Sequence, residues 1–538
     1  MFLFSIHTIG CKLNQLESEA VADAFRREGF PVVPWEGPER QRPGPLPNPA
    51  ASAVSAALDP AVSASAALDL AGEPRLLVVN TCTVTSMAEQ KARRLIRGAL
   101  REGAWVLVTG CYAQLNGAEL EALGGNSGRL FVVPGDKKSA LLDLPRFLSS
   151  RLNDSPEFFR GEDPLVLIRQ WLLGTGDDLG GRFRFVPENF SSHSRAFLKI
   201  QDGCDRRCTY CRVRIARGES LSLPPQEVLR RLRALEVRGC AEAVLTGVNI
   251  CRYRSAENPP SMGLGALINY LLGGTERIRL RLSSLEPEDI DGELLESLKS
   301  GRIRPHFHLS IQSGSRRVLE RMGRNYGPEQ AARVVSRLRE LKEDPFLACD
   351  IITGFPGEEE GDFLETLEFC RRMDFAWIHS FPYSPRPGTA AWAFSGRTPQ
   401  REASARAAKL LDLARRGRRD YARRWLGKEL ELVLEAKGPG KRGIGGKGPA
   451  EREEAQKGPP SPPEFRELRR PWGGTSENYL KLLVPPEWLP PGLGPGSILR
   501  CRVRELAGLQ APGGSFPPGG EFDGLGDPRR CWNIYASP

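Results

Sequence analysis

The sequence predicts an α/β protein in three successive parts: an open N-terminal α/β domain, a central partial (β/α) barrel of the TIM type and a C-terminal part made of strand-like pieces. In two stretches, apolar strand-like runs alternate with helix-like segments, and in a third, strand-like pieces follow one another without helices between them. A chain of 538 residues is also too long for one core, so several domains are expected.

Composition narrows the class of protein. The chain is 40% hydrophobic and 26% charged, which is ordinary for a soluble globular protein, and its formal charge of +10 favours a polyanionic partner, nucleic acid before membrane. Twelve cysteines are too few for a disulfide scaffold, and their clustering favours metal binding in a reducing compartment, so we expect a cytoplasmic protein. The N-terminus lacks the basic leader of a signal peptide, and no apolar stretch approaches the roughly eighteen residues of a membrane span.

Three apolar runs in the first 150 residues each lead to a cysteine. The runs "FLFSIHTIG", "RLLVVN" and "WVLVTG" precede Cys11, Cys82 and Cys111, and each predicts a buried strand followed by a helix. A single cysteine at a strand end is best explained as a small buried residue. Three in the same relative place favour one metal site with three protein ligands, because ligands of open parallel sheets bind at the carboxyl ends of the strands. Asn14 and Asn80 are expected to tie these loops to the backbone, with a plain turn role as the alternative.

A second group of three cysteines lies in "GCDRRCTYC", directly after the strand-like run "RAFLKIQDG". Cys204, Cys208 and Cys211 leave a tetrahedral zinc site or a cubane iron–sulfur cluster one ligand short of four. Zinc is the plain alternative, but zinc sites usually pair two C-x-x-C knuckles or add two histidines, and the five histidines here are scattered. Helix-like and strand-like segments alternate downstream, which predicts a parallel barrel with its active site at the carboxyl ends of the strands.

Composition shifts set the expected domain boundaries. We expect the N-terminal domain at 1–150 with an insertion at 37–74, a linker at 151–190, the central barrel at 191–425, the C-terminal barrel at 426–506 with an insertion at 438–463, and a disordered tail at 507–538. Six cysteines fit no cluster pattern and are expected to be structural or incidental: Cys240, Cys251, Cys349, Cys370, Cys501 and Cys531.

The motif C-x-x-x-C-x-aromatic-C after a first barrel strand resembles the radical S-adenosylmethionine (SAM) superfamily. The resemblance implies that Cys204, Cys208 and Cys211 hold a [4Fe-4S] cluster, whose fourth iron is chelated by SAM and passes one electron to it, which releases a 5′-deoxyadenosyl radical. It places Tyr210 beside the adenine. It also implies cofactor contacts at the strand ends "TGVN" and "DIITGFPG", for which ordinary βα turns are the alternative. These contacts are Gly247, Asn249, Asp350 and Gly354.

The chain as a whole resembles the radical SAM methylthiotransferases. The motifs "GCKLNQLESEA", "VVNTCTVTSMAEQKAR", "VTGCYAQ", "RLSSLEP" and "FPYSPRPGTAAW" follow the order of that family. The resemblance implies a second [4Fe-4S] cluster on Cys11, Cys82 and Cys111 that holds the sulfur to be delivered. One SAM methylates that sulfur and another generates the radical that abstracts hydrogen from the substrate. A sulfur source and an electron donor such as flavodoxin or ferredoxin are implied partners.

Three substrate branches exist within this family. "GCKLNQLESEA" and "LTGVNI" most resemble the branch that methylthiolates C2 of N6-threonylcarbamoyladenosine next to the anticodon of tRNA. N6-isopentenyladenosine in tRNA is the main alternative substrate, a ribosomal-protein aspartate is a lesser one, and a zinc-bearing RNA-binding protein is the non-enzymatic alternative. The chain departs from the family after Cys211, where Arg212 and Arg214 replace the usual aliphatic residues and proline. We expect these arginines to affect the packing of the SAM site or contact with the substrate.

The C-terminal third is strongly basic. Residues 401–450 hold fourteen Lys or Arg against six Asp or Glu. A solvated helix face is the plain explanation, but so local an excess favours phosphate contact with a tRNA anticodon arm. The predicted contacts are Arg415, Arg416, Arg418 and Arg419. The strand-like pieces that follow resemble the small RNA-binding TRAM barrel that ends methylthiotransferases.

Overall fold

The computed structural model describes residues 2–35, 74–154, 164–176, 179–188, 195–255, 262–435, 472–484, 486–506 and 534–537. The two predicted insertions, at 37–74 except for its last residue and at 438–463, lie outside the described residues. None of the described helices combines the length and the apolar character of a membrane span.

The N-terminal domain is built on a four-stranded parallel sheet. Its strands lie side by side in chain order: β1 (Leu3–Thr8), β2 (Arg75–Thr81), β3 (Trp105–Gly110) and β4 (Leu130–Val132). The strands are apolar because helices cover both faces of such a sheet. The helices of this domain are α1 (Lys12–Arg27), α2 (Ser86–Arg101), α3 (Cys111–Leu115), α4 (Gly117–Glu121), α5 (Leu144–Asp154) and α6 (Pro164–Gly174).

The N-terminal domain extends beyond residue 150, into the segment that the sequence predicted as a linker. Leu165, Ile168 and Leu172 of α6 and Phe185 after it are buried in the same core as the sheet residue Phe4. A short helix with the sequence "PLVLIRQWLLG" is apolar around most of its circumference, so it is stable only when it is packed against a core.

The central domain is a six-stranded parallel partial barrel, as predicted. One sheet holds β5 (Ala196–Lys199), β8 (Glu242–Thr246) and β9 (Arg279–Leu282), and a second holds β10 (His306–Gln312), β11 (Phe346–Thr353) and β12 (Trp377–Pro382). A single parallel bridge between Leu285 and Leu309 joins the two sheets. A two-residue hairpin, β6 (Gln201–Asp202) with β7 (Leu221–Ser222), brackets the second cysteine loop. The helices of this domain are α7 (Val213–Arg217), α8 (Pro225–Val237), α9 (Leu264–Gly273), α10 (Gly292–Ser297), α11 (Arg316–Arg321), α12 (Pro328–Leu341), α13 (Glu360–Arg372) and α14 (Gln400–Arg424).

The C-terminal domain is a closed five-stranded barrel. Its strands are β13 (Glu429–Leu434), β14 (Trp472–Ser476), β15 (Lys481–Val484), β16 (Ile498–Leu506) and β17 (Ile534–Ser537), in the order β13-β14-β15-β17-β16. The last strand differs from the disordered tail expected at 507–538, because pairing of β17 with β15 and β16 closes the barrel. Residues 507–533 lie outside the described part of the chain.

The C-terminal barrel packs on the amino ends of the central strands. The fully buried Arg281 lies 2.6 Å from the carboxylate of Glu242 and donates to the carbonyl of Ser476 at 3.1 Å. The ring of Tyr479 stacks on His306, with 4.0 Å between ring centroids. The C-terminal barrel therefore closes the lower end of the central barrel.

Candidate active site

A cavity of about 820 Å³ runs through the inside of the central barrel. Cys11, Cys82 and Cys111 line one end of it, and His306 and Tyr479 lie at the other. Between these ends the wall is formed by strand residues and the turns that follow them, among them Thr246, Gly247, Ser284, His308, Ala348, Trp377 and His379. The cavity thus joins the cysteine edge of the N-terminal domain to the interior of the barrel.

The three N-terminal cysteines come together because three parallel strands end at one edge of the sheet. Cys11 precedes α1, Cys82 follows β2, and Cys111 begins α3. Gly10 has a φ of +127°, and a Cβ there would lie 2.7 Å from the Cβ of Cys82. Gly110 has a φ of +98°, and a Cβ there would lie 2.3 Å from the carbonyl oxygen of Thr81. Only glycine allows the first and third loops to approach the second this closely.

Two asparagines hold these loops, as predicted. The Asn14 amide donates to the carbonyl oxygens of Ile9 at 2.9 Å and Thr81 at 3.0 Å. The Asn80 amide donates to the carbonyl oxygen of Asn14 at 3.0 Å. Backbone from two strand ends is therefore fixed by side chains from α1 and β2.

A buried network of charges fixes α1 against the central barrel. One nitrogen of the Arg217 guanidinium lies 3.1 Å from both Glu17 of α1 and Asp202 of β6, and another donates to Asn14 at 2.9 Å. Burial alone would raise the pKa of Glu17, but Arg217, Lys138 and Lys199 hold that pKa well below its usual range. Arg217 also lines the cavity, so the cationic side chain that anchors the Cys11 loop lies beside the cysteines themselves.

The second cysteine group sits in a loop that is anchored through its backbone. The Cys204 amide donates to Gly218 at 3.0 Å, the Cys211 amide to Cys208 at 3.1 Å, and the Thr209 amide to Met322 at 3.0 Å. Burial raises the pKa of the thiols, to about 12 for Cys211 and likewise to about 11 for Cys82 of the first group. Metal loading must displace these protons, since the thiolate is the ligand.

Each cysteine group offers three thiols without forming a single-ion site. Among the described residues, no three His, Cys, Asp or Glu side chains converge on one point where an ion would bind. A tetrahedral zinc ion takes all of its ligands on one metal atom, whereas a cubane cluster takes each thiolate on a different iron.

Two of the predicted cofactor residues lie at the carboxyl end of β8. Gly247 lines the cavity, and a Cβ there would lie 2.8 Å from the side-chain oxygen of Gln201. The Asn249 amide N–H donates to that same oxygen at 2.9 Å. The side-chain oxygen of Asn249 is buried and has no hydrogen-bond partner among the described residues, so it is free to accept from a bound ligand.

The other three predicted cofactor residues make contacts within the protein, and their roles toward a cofactor stay predictions. The Tyr210 hydroxyl accepts from Arg324 at 2.7 Å. The Asp350 carboxylate lies 3.0 Å from Nε2 of His308, and His308, not Asp350, lines the cavity. Gly354 packs against α14, where a Cβ would lie 2.4 Å from that of Ala403. Asp350 therefore orients a cavity side chain, and Gly354 serves helix packing.

Several cavity residues escaped the sequence analysis. Three of the five histidines line the cavity: His306, His308 and His379. Nδ1 of His308 lies 3.1 Å from the Ser284 hydroxyl, and His379 accepts from the indole of Trp377 at 3.2 Å. Lys12 lines the cavity directly beside Cys11. Two signals in the sequence were available: a lysine next to Cys11, a predicted ligand, and two histidines that lie two residues apart on a strand.

Arg212 faces the N-terminal domain. Its guanidinium donates to the Thr83 hydroxyl at 3.1 Å and to the Asn116 side chain at 3.2 Å, and it lies 3.4 Å from Glu89. Arg212 thus makes a contact between domains, and its effect on SAM-site packing or substrate contact stays a prediction. Arg214 lies in α7, where its carbonyl oxygen accepts from Gly218 at 2.7 Å.

The four arginines predicted to bind RNA separate into different environments on α14. Arg415 and Arg416 are exposed, and Arg415 pairs with Asp412 at 3.2 Å. Arg418 lines the cavity, 5.5 Å from the ring centroid of Trp377. Arg419 is half-buried.

Of the other six cysteines, five lie among the described residues and none of these five lines the cavity, whereas Cys531 lies outside that part of the chain.

Comparison with known proteins matches regions that contain cysteines of both groups to two protein families. Residues 198–370 match the Radical SAM superfamily, and residues 62–130 match a family described as Uncharacterized protein family UPF0004. A threonylcarbamoyladenosine tRNA methylthiotransferase of Treponema pallidum is 39% identical over 81% of this chain and 91% of its own length. The chain belongs to the radical SAM methylthiotransferase family. The corresponding protein of Thermotoga maritima is 32% identical over 80% of the chain and 86% of its own length.

Other relatives of this methylthiotransferase differ in the substrate that they are named for. A tRNA-2-methylthio-N(6)-dimethylallyladenosine synthase of Anaplasma marginale is 30% identical over 80% of the chain and 86% of its own length. Among solved structures, the radical SAM methyltransferase TsrM of Kitasatospora setae is 16% identical, with a TM-score of 0.45 over 73% of this chain and 77% of that one. Membership of the superfamily implies a [4Fe-4S] cluster and SAM. The three thiols of Cys204, Cys208 and Cys211 fit such a cluster. The side-chain oxygen of Asn249, which has no partner among the described residues, fits a polar ligand such as SAM.

Proposed function

We propose that this methylthiotransferase acts on N6-threonylcarbamoyladenosine next to the anticodon of tRNA and attaches a methylthio group to C2 of its adenine ring. The observation that carries the proposal is the single cavity shared by the N-terminal cysteines and the barrel interior. Its described lining contains four Lys or Arg side chains, Lys12, Arg217, Arg418 and Lys481, against one carboxylate, Glu435. Such a lining suits a base that carries an anionic substituent. The names of the relatives at 39% and 32% identity support the same substrate.

Two [4Fe-4S] clusters are proposed, one on each cysteine group. Cys204, Cys208 and Cys211 would hold the cluster that binds SAM, and Cys11, Cys82 and Cys111 the cluster that presents the sulfur. Bound there, clusters and SAM supply a radical that removes hydrogen from a C–H bond and a methylated sulfur to replace it. The oxygen of Asn249 would accept from SAM, and Gly247 leaves room for it at the cavity wall.

The wall of β12 is proposed to hold the adenine ring. Trp377, His379 and Phe381 alternate along this strand, so their side chains share one face. The His379 and Phe381 rings are parallel within 5°, at 6.3 Å between centroids, and Phe381 is 44% exposed near the end of the strand. Aromatic faces bind unstacked bases in proteins that recognise RNA loops. A flipped adenosine would stack on this face and present C2 toward the cysteine edge.

The remaining RNA contacts are proposed outside the cavity. The exposed Arg415 and Arg416 on α14 and the C-terminal barrel, a TRAM-like module, would bind the anticodon arm through its phosphates. A sulfur source and a reductant such as flavodoxin or ferredoxin would complete the reaction. These requirements support a cytoplasmic location, where tRNA and reduced clusters occur together.

Mass spectrometry of tRNA nucleosides from cells that lack the gene tests the substrate. We expect the methylthio group to disappear from threonylcarbamoyladenosine and the methylthiolated isopentenyladenosine to remain. The opposite pattern would assign the protein to the isopentenyl branch. Loss of neither nucleoside would overturn tRNA methylthiolation as the function.

A further inference from the structure

Lys12 points into the interior of the barrel. It is the first residue of α1, immediately after Cys11, and it lines the cavity. Its ammonium interacts electrostatically with Tyr479 at the floor, with Arg195 and Arg281 at the amino ends of the central strands, and with Asp350 of β11. The side chain thus extends from the cysteine edge down into the space where a substrate base would lie.

The ammonium of Lys12 has no close anionic partner among the residues that the structure describes. Lys12 makes no hydrogen bond and no ion pair with any residue that the structure describes. Two other cations of the cavity are held by carboxylates, Arg217 by Glu17 and Asp202, and Lys481 by Glu435 at 2.7 Å. An enclosed cation without an anionic partner has an unfavourable desolvation energy that an incoming anion would offset.

The chemistry of the substrate identifies that anion. Adenine is neutral, and an isopentenyl substituent is apolar. The threonylcarbamoyl substituent ends in a carboxylate, which is ionised at neutral pH. Phosphates remain on the RNA backbone, outside a cavity that admits one flipped base. We infer that the Lys12 ammonium binds the carboxylate of the threonylcarbamoyl group and selects this adenosine over those with uncharged substituents. The inference rests on the function proposed above.

Binding of short anticodon stem-loop RNAs to the anaerobic holoenzyme tests this role. One RNA carries threonylcarbamoyladenosine, and a second carries the same group with threoninol in place of threonine, which removes only the carboxylate. We expect the unmodified enzyme to bind the first RNA tenfold to about a hundredfold more tightly, as for a charge-assisted hydrogen bond. Lys12→Met should abolish that preference by weakening the first complex alone, and Lys12→Arg should restore part of it.

Controls separate this role from others. Lys299→Met removes an exposed lysine that pairs with Glu296 on the surface, and it should leave both affinities unchanged. Iron content and SAM cleavage should be the same in Lys12→Met and in the unmodified enzyme. If Lys12→Met loses iron or SAM cleavage, Lys12 serves cluster assembly or SAM binding, and the inference is wrong.

The remaining outcomes distinguish the inference from the proposed function. If the unmodified enzyme methylthiolates the threonylcarbamoyl RNA and Lys12→Met still prefers it to the threoninol RNA, the selective role of Lys12 is refuted while the function stands. If the unmodified enzyme acts only on an isopentenyl RNA, the proposed function fails, and the inference fails with it.

Discussion

The guanidinium of Arg212 lies 3.4 Å from the carboxylate of Glu89 and joins the central barrel to helix α2 of the N-terminal domain. Arg386, which follows β12, pairs with the same carboxylate and donates to the Thr83 hydroxyl at 3.0 Å. Thr83 is the residue after Cys82. The buried carboxylate of Glu89 therefore binds both Arg212 and Arg386 of the barrel. These contacts lie at the loop that carries Cys82.

Replacement of Glu89 by Ala should destabilise this junction. It leaves two buried guanidinium groups without their carboxylate, and breaking a buried ion pair costs about 3–5 kcal/mol. Arg212→Ala should cost less, because Arg386 still neutralises Glu89. Anaerobic urea unfolding measures both, with Arg316→Ala as control, since Arg316 and Glu329 are 59% and 62% exposed and their pair contributes at most about 1 kcal/mol. If Arg212→Ala keeps its clusters but loses SAM cleavage, Arg212 belongs to the SAM site instead.

Loss of either cysteine group should remove half of the bound iron. The two losses should stop different steps of the reaction. Changing Cys204, Cys208 and Cys211 together to Ala should abolish SAM cleavage. Changing Cys11, Cys82 and Cys111 together should leave SAM cleavage intact and stop methylthio transfer. Iron, sulfide and zinc analysis of anaerobically purified proteins, combined with a SAM cleavage assay, checks both results. Zinc without sulfide would instead support a non-catalytic RNA-binding protein, and SAM cleavage by the first variant would reverse the two roles.

Glu242 should make the free energy of unfolding decrease as the pH falls into the acidic range. Burial alone would raise its pKa, but Arg281, Arg195 and Arg304 lower it to about 2, from 4.5 in an unstructured chain. The folded form thus binds fewer protons than the unfolded form between these values, so the stabilisation is complete above about pH 5 and is lost as the pH falls toward 2. The difference corresponds to roughly 3 kcal/mol. Urea unfolding at several pH values should show a loss that is smaller by roughly this amount in Glu242→Gln than in the unmodified protein; equal pH dependence of the two would contradict it.

Replacing different arginines of α14 should change the salt dependence of tRNA binding by different amounts. Arg415→Ala with Arg416→Ala should weaken tRNA binding and reduce the slope of log affinity against log salt by about 2, one for each phosphate contact removed. Arg418→Ala should alter binding of the modified base and leave the slope unchanged, because Arg418 lies in the cavity. Titrations at several salt concentrations measure both. An unchanged slope in the double variant would show that this helix does not contact phosphate.

The features that the sequence could predict are those set by the order of residues within one segment, such as a cysteine directly after a strand. The cysteines at positions 11, 82 and 111 each follow a strand, and parallel pairing brings such positions to one edge without further information. Partners that are distant in the chain could not be found this way. Arg212 was recognised as unusual, but its partner Glu89 is 123 residues away. The alternation of residues in β12 was visible, yet only the folded barrel shows that Trp377 and His379 of this face border the same cavity as Lys12.

The stacking of Tyr479 on His306 has a thermodynamic consequence. Tyr479, which lines the cavity at its lower end, belongs to the domain proposed to bind RNA. If that domain shifts when it binds tRNA, the volume and hydration of the cavity change, and by linkage an occupied cavity would change the affinity for tRNA by the same factor. Substrate recognition outside the barrel and exclusion of water inside it would then be one coupled equilibrium.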